Sequence, residues 1–133
     1  GHHPEEIKAA LSATKLIGNK SKVLAIFQPH RYSRLKNHFN EFCSCFNDAD
    51  EVVLLDVYAA GEKPIKNCKK IDLENGIRNY GHKNVSSVTK DEDIYKIIFK
   101  KINNFQIVIF LGAGNITKMA NNLKKELKVL TNK

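Results

Sequence analysis

The sequence predicts an α/β domain of Rossmann-like, three-layer architecture, in which a mostly parallel sheet carries helices on both faces. Three short apolar runs, at residues 23–27, 51–56 and 106–111, have the length and the continuous hydrophobicity of strands buried on both faces. Amphipathic helical patterns separate these runs, and no hairpin signal joins any two of them. Strands that alternate with helices require right-handed crossovers, which produce a parallel sheet.

The first half of the chain begins with a helix that starts at Pro4, has two glutamates in its first turn and stops at Gly18. The first strand follows and ends before Pro29. The next helix is predicted to run to about residue 46, because apolar side chains recur at helical spacing: Leu35, Phe39, Phe42, Cys43 and Phe46.

The second half begins after the second strand, with small residues at 57–62 and a loop rich in lysine and asparagine. A short helix is predicted at 71–80, stopped by Gly81, and a brief strand at 85–88. The apolar face of the next helix consists of isoleucines: Ile94, Ile97, Ile98 and Ile102. The third long strand leads through a glycine turn into a last helix at 116–127.

The charge and composition narrow the class of protein. With 133 residues, 42% of them hydrophobic, the chain suits one domain with a real core. The formal charge is +8, but the lysines are scattered over predicted exposed faces and are not interleaved with aromatic residues that could stack on bases. A nucleic-acid partner is therefore not expected. A membrane partner is not expected either, because no apolar run approaches the length of a membrane span.

The three cysteines are Cys43, Cys45 and Cys68, an odd set without a metal-type CxxC spacing. They are interpreted as reduced thiols of a cytoplasmic protein, with Cys43 as a small core residue. No charged-then-apolar leader is recognised in the sequence, so nothing indicates secretion.

The carboxyl ends of parallel strands are where sites form, and this places residues 28–34, 56–62 and 112–115 along one edge of the sheet. Two of the chain's three arginines, Arg31 and Arg34, lie in the first of these segments, against a background of nineteen lysines. This choice of arginine indicates a bidentate anion site, best suited to a carboxylate, at a helix N-terminus. The alternative is a surface helix start with two incidental arginines.

Other polar residues at this edge leave several interpretations open. His30 could transfer a proton, orient a substrate or cap the helix, and Asp56 could hold His30 or an arginine, or serve as a strand-end turn residue. A metal set of these two residues with His2 and His3 is not predicted, because no two histidines have the i, i+4 spacing of a ligand pair. The glycines at 112 and 114 form either a simple turn or an anion-binding turn.

Four motifs give the chain a resemblance to a known family, because their order and spacing are those of the C-terminal domain of the Mur ligases. They lie at residues 1–7, 27–34, 56–62 with 64–65, and 112–114, and read GHHPEEI, FQPHRYSR, DVYAAGE with PI, and GAG. The two middle motifs are highly specific, whereas the glycine turn is not. Glu5 and Ser33 stand where the family usually or commonly has threonine.

The resemblance implies an ATP-dependent amide ligase that joins L-alanine to UDP-N-acetylmuramate in peptidoglycan biosynthesis. ATP phosphorylates the muramyl carboxylate, and the alanine amine attacks the acyl phosphate. By the same resemblance, Arg31 and Arg34 would hold the alanine carboxylate, with His30 and His2 as catalytic residues near the incoming amine. The neighbouring strand end would add two substrate-binding residues: Asp56 and Tyr58.

The resemblance also implies a division of labour in a bacterial, cytoplasmic enzyme. Residues 1–133 would be the amino-acid-binding domain, and the central ATP-binding and N-terminal UDP-substrate domains would lie outside them. ATP and Mg²⁺ would be bound mainly by the central domain, so this chain alone is expected to bind no cofactor and to be inactive. The alternatives are a free-standing small-anion or nucleotide-binding module and a metal hydrolase.

Overall fold

A computed structural model describes residues 3–17, 21–88, 91–112, 116, 118–122 and 125. Helices and strands alternate along most of this length, with one short 3₁₀ turn, Ile102–Asn104. The elements in chain order are α1 (Pro4–Ile17), β1 (Val23–Gln28), α2 (Tyr32–Asn37), α3 (Phe39–Ser44), β2 (Glu51–Leu54), α4 (Lys70–Asn79), β3 (Val85–Ser87), α5 (Asp91–Lys101) and β4 (Ile107–Gly112). In the region predicted as the last helix, residues 116, 118–122 and 125 are helical.

Within the described ranges, four strands form one sheet in the order β3-β2-β1-β4, and every neighbouring pair is parallel. The two central strands are β1 and β2, so the carboxyl end of β1 lies between those of β2 and β4. This arrangement confirms the predicted α/β class with a parallel sheet. It also brings the predicted site segments 28–34 and 56–62, and Gly112 of the third segment, to one edge, which we call the carboxyl edge.

The core has two layers, one on each face of the sheet. Along β1, Val23, Ala25 and Phe27 belong to the layer that contains α1, α3 and α4, whereas Leu24 and Ile26 belong to the layer that contains α5. All five side chains are fully buried. Burial on both faces explains why the strand is apolar at every position rather than at alternate ones.

The predicted single helix that reaches residue 46 is wrong in one respect, because the structure divides it at His38 into α2 and α3. His38 has φ −125° and ψ 28°, outside the helical range, and it is both the C-cap of α2 and the N-cap of α3. Its ring lies 4.8 Å from that of His3, and its Nδ1 lies 2.8 Å from the Glu41 carboxylate. These contacts stabilise the break.

Helices α3 and α4 pack closely enough that no side chain fits at Gly76. A Cβ atom at this position would lie 2.4 Å from Cys43 Sγ and 3.3 Å from the ring of Phe39. Cys43 is buried, as the sequence predicted, and Cys45 and Cys68 are also buried free thiols. Within the described residues, no helix is long and apolar enough to cross a membrane.

Candidate functional site

The carboxyl edge is extended by two segments that continue past β1 and β2 side by side. The Arg31 N–H donates to the Tyr58 carbonyl oxygen at 2.8 Å, and the Tyr58 N–H donates to the Pro29 carbonyl oxygen at 2.8 Å. His30 and Tyr58 therefore form a parallel bridge, and their rings stack at 5.5 Å with 11° between the planes. The structure thus brings two predicted site residues, His30 and Tyr58, into direct contact.

Arg31 lies outside the helix, in a backbone conformation that few side chains adopt. Its φ is 71° and its ψ is 135°, and α2 begins only at the next residue. Arg31 therefore lies just before the helix N-terminus at which the sequence predicted an anion site, whereas Arg34 lies inside the helix. Non-glycine residues held in such sparsely populated conformations cost about 1–3 kcal/mol each and cluster at functional sites.

Arg34 lies in α2 and contacts His30, because its Nη1 atom is 3.3 Å from His30 Nδ1. A guanidinium group can only donate hydrogen bonds, so His30 Nδ1 accepts in this arrangement. A neutral imidazole that accepts at Nδ1 carries its proton on Nε2. In this geometry His30 orients Arg34 and carries its N–H on the opposite side of its ring.

The N-terminus of α2 already holds an anion, the carboxylate of Glu62. Its Oε1 accepts the Ser33 N–H at 3.1 Å and its Oε2 accepts the Ser33 hydroxyl at 2.5 Å. The Ser33 hydroxyl and N–H, together with the Tyr32 N–H and the charge of Arg31, lower the pKa of Glu62. A substrate anion therefore cannot use this helix terminus while Glu62 occupies it, contrary to the expectation from the sequence.

Asp56 forms an ion pair at the end of β2 with Lys70 of α4, at 2.7 Å, a partner that the sequence did not suggest. Lys70 also donates to the Val88 carbonyl oxygen at 2.8 Å and is largely buried, whereas the Asp56 side chain is 62% exposed. An open cleft of about 240 Å³ lies beside this pair. It is lined by Tyr32, Asp56, Val57, Lys69, Lys70 and Ile71.

Gly112 ends β4 directly beside Gln28 of β1, its partner in register. Its φ is 124°, and a Cβ atom would lie 2.2 Å from the Gln28 carbonyl oxygen. Glycine is therefore required here by the close approach of two strands. The next three residues of the predicted glycine turn, 113–115, lie outside the described residues, so an anion-binding role for that turn stays a prediction.

The predicted catalytic residue His2 lies outside the described residues. The next histidine, His3, serves helix α1, because its Nδ1 accepts the Glu5 N–H at 3.2 Å. Glu62 was not predicted as a site residue from the sequence. The signal that could have indicated it is an acidic residue directly after a turn of small residues. Within the described part of the chain, no group of three or more His, Cys, Asp or Glu side chains could hold a metal ion.

Comparisons of the sequence and of the structure with known proteins all give similarity to ligases of one family. The family model described as "Mur ligase, glutamate ligase domain" matches residues 1–114. A UDP-N-acetylmuramate–L-alanine ligase of Rhodospirillum centenum is 47% identical over 130 residues, which cover 98% of this chain and 27% of that protein. The corresponding ligase of a Bradyrhizobium species is 48% identical over 130 residues, covering 98% of this chain and 28% of that protein.

Among solved structures, a murein peptide ligase from Psychrobacter arcticus matches with a TM-score of 0.72 at 16% identity, covering 94% of this chain and 25% of that one. At this identity the match supports the fold alone. The chain spans only 27–28% of the length of these two curated relatives.

Proposed function

The chain belongs to the Mur ligase family through its glutamate ligase domain, and on that premise we propose that it is the L-alanine-binding lobe of an ATP-dependent ligase that extends UDP-N-acetylmuramate. The complete enzyme would form the first peptide bond of the peptidoglycan stem in the bacterial cytoplasm. The names of the similar ligases and their identity over nearly the whole chain support this choice of substrates.

The observation that carries the proposal is the arginine turn, by which we mean residues 29–34. It presents Arg31 from a strained backbone position and Arg34 from α2 in contact with His30, at the carboxyl edge of a parallel sheet. In the proposal the two guanidinium groups hold the carboxylate of L-alanine. Their planar donors match the two oxygens of a carboxylate, which a lysine would bind only as a point charge.

His30 is proposed to orient rather than to transfer a proton. Its Nδ1 accepts from Arg34 and keeps that guanidinium in place, while Tyr58 stacks on the ring and fixes its plane. A base would need a free lone pair towards the amine, and the remaining ring nitrogen carries the proton in this tautomer. His2 keeps its proposed place near the amine on the resemblance alone, and Asp56 and Tyr58 line the approach to the site.

ATP and Mg²⁺ belong to the reaction, and ATP would supply the phosphoryl group that activates the muramyl carboxylate. In the proposal, both would be bound mainly by the central domain of the complete enzyme. The lobe would contribute to catalysis by positioning the amine of L-alanine. Holding an amine in line with an acyl phosphate can offset an entropic cost of roughly 7–11 kcal/mol in well-oriented systems.

Replacing Arg34 with alanine in the complete ligase tests this proposal. The KM for L-alanine should rise about ten- to a hundredfold, because a charged hydrogen bond contributes about 1.5–3 kcal/mol. The KM for ATP should stay within about twofold, since the nucleotide would be bound elsewhere. Arg31→Ala should act in the same direction, and Arg31→Lys should recover part of the loss.

The matched control is Lys36→Ala, which removes an exposed positive charge from the same helix as Arg34. It should leave both KM values unchanged. If Arg34→Ala and Arg31→Ala also leave the alanine KM unchanged, the carboxylate assignment fails. A selective rise in the KM for ATP would instead favour the nucleotide-binding alternative.

A further inference from the structure

We propose that Glu62 is a positioning residue for amino-acid recognition: its carboxylate holds the arginine turn in the shape that presents Arg31 and Arg34. The residue need not touch the amino acid to do this. This inference rests on the proposed function, which it deepens by adding a residue that acts through its neighbours.

The contacts of Glu62 involve both of its carboxylate oxygens and the first residues of α2. One oxygen accepts the Ser33 N–H at 3.1 Å, and the other accepts the Ser33 hydroxyl at 2.5 Å. A backbone donor that a helix leaves unpaired at its N-terminus is thereby satisfied by a residue 29 positions away in the sequence.

Helix α2 requires such an external partner because it has only six residues. A helix this short does not stabilise itself, since the cost of forming its first turn is recovered only over a longer run. Immediately before it, Arg31 holds a φ of 71° that a free chain would leave. The Arg31 N–H is fixed to Tyr58 on one side, and Glu62 fixes Ser33 on the other.

The backbone that carries Glu62 is itself arranged for this contact. Ala60 and Gly61 have φ values of 51° and 88°, and the Glu62 N–H donates to the Ala59 carbonyl oxygen at 3.0 Å. Two successive positive φ values define a tight, reversed turn. The turn directs the chain back towards α2 and places the Glu62 carboxylate against Ser33.

A competing role for Glu62 makes the opposite prediction. Its charge also attracts Arg31, so Glu62 could act by occupying the place of the substrate carboxylate, and its removal would then improve binding. Alanine and glutamine variants separate the two roles. Glutamine keeps the shape and an oxygen acceptor but removes the charge, whereas alanine removes both.

In the complete ligase, Glu62→Ala should lower kcat/KM for L-alanine about tenfold or more, mainly through KM, while the KM for ATP stays constant. Glu62→Gln should stay within about threefold of the original enzyme, because it retains an acceptor for the Ser33 N–H. Glu41→Ala, which removes a carboxylate bonded to His38 on the adjacent helix, should leave the KM for L-alanine unchanged.

An NMR titration of this 133-residue chain provides a test that needs no substrate. The Ser33 amide proton should titrate with the Glu62 carboxylate, and Glu62→Ala should abolish that titration and shift the amides of Arg31 and Tyr32. A Ser33 amide that is indifferent to Glu62 overturns the inference, whatever the kinetics show.

The kinetic outcomes separate the inference from the proposed function. If Arg34→Ala raises the alanine KM and Glu62→Ala does not, the positioning role is refuted and the function stands. If both Glu62 variants lower the alanine KM, the residue competes with substrate and positioning is refuted. If neither Arg34→Ala nor Glu62→Ala changes it, the proposed function fails together with the role in amino-acid recognition.

Discussion

Gly76 gives the sharpest prediction on stability, because two effects of known size oppose each other there. Alanine in place of glycine inside a helix is favourable by about 0.8–1 kcal/mol. The added Cβ would lie 2.4 Å from Cys43 Sγ, and overpacking of this kind costs about 1–3 kcal/mol. We therefore expect Gly76→Ala to lower the free energy of unfolding by about 0–2 kcal/mol.

The sign of this effect should reverse when the obstacle is removed. In a Cys43→Ala background the sulfur is absent, and the contact with Phe39 at 3.3 Å needs only a small ring shift. Gly76→Ala should then raise the free energy of unfolding by up to about 1 kcal/mol, through helix propensity alone.

Urea unfolding of the four chains in this double-mutant cycle measures the coupling, which should be about 1–3 kcal/mol. Asn75→Ala is the matched control, since Asn75 is exposed on the same helix and its replacement should have the same effect in both backgrounds. An equal loss of stability for Gly76→Ala in both backgrounds would refute close α3–α4 packing as the reason for this glycine.

Four further predictions concern the carboxyl edge and the thiols. Gly112→Ala should lower the free energy of unfolding, measured in urea, by more than about 2 kcal/mol. The cost of the strained φ and the cost of the clash with the adjacent strand both contribute to this loss. Lys70→Met should cost about 1–2 kcal/mol in the same assay, and Asp56→Asn less than about 1 kcal/mol, since the lysine is buried and the aspartate exposed. Burial raises the pKa of the Cys43 thiol to about 11, so Ellman's reagent at pH 8 should modify it only as the chain unfolds. Its contacts lower the pKa of Glu62 from 4.5, so the carboxylate stabilises the folded chain fully above pH 4.5 and loses this effect as it is protonated at lower pH. The difference in free energy of unfolding between the original chain and Glu62→Ala, measured by urea unfolding at several pH values, should therefore shrink below pH 4.5.

The sheet and its carboxyl edge could be predicted from the sequence because a strand buried on both faces has apolar residues at every position. Alternate residues of β1 face different layers, and both layers are apolar, so the strand appears as an unbroken hydrophobic run. Parallel strands then place their carboxyl ends together. The rarity of arginine in this chain singled out Arg31 and Arg34 as candidate site residues, and their role stays a prediction.

The division at His38 could not be predicted, because the apolar spacing of Leu35, Phe39 and Phe42 continues across it. Periodicity reports which face of a segment is buried, and two short helices that bury the same face produce nearly the same pattern. The partner of Asp56 could not be predicted either, since Lys70 lies at the start of α4, beyond the whole lysine-rich loop.

The occupied N-terminus of α2 bears on which anion this edge can accept. Phosphate groups commonly bind where unpaired backbone N–H groups and a helix terminus point at the ligand. Here Glu62 takes the Ser33 N–H and adds a fixed negative charge beside Arg31. That charge opposes a dianionic phosphate more strongly than a singly charged carboxylate. An incoming anion must therefore rely on the guanidinium groups, whose paired donors suit a carboxylate, and this favours an amino acid over a nucleotide as the ligand of the arginine turn.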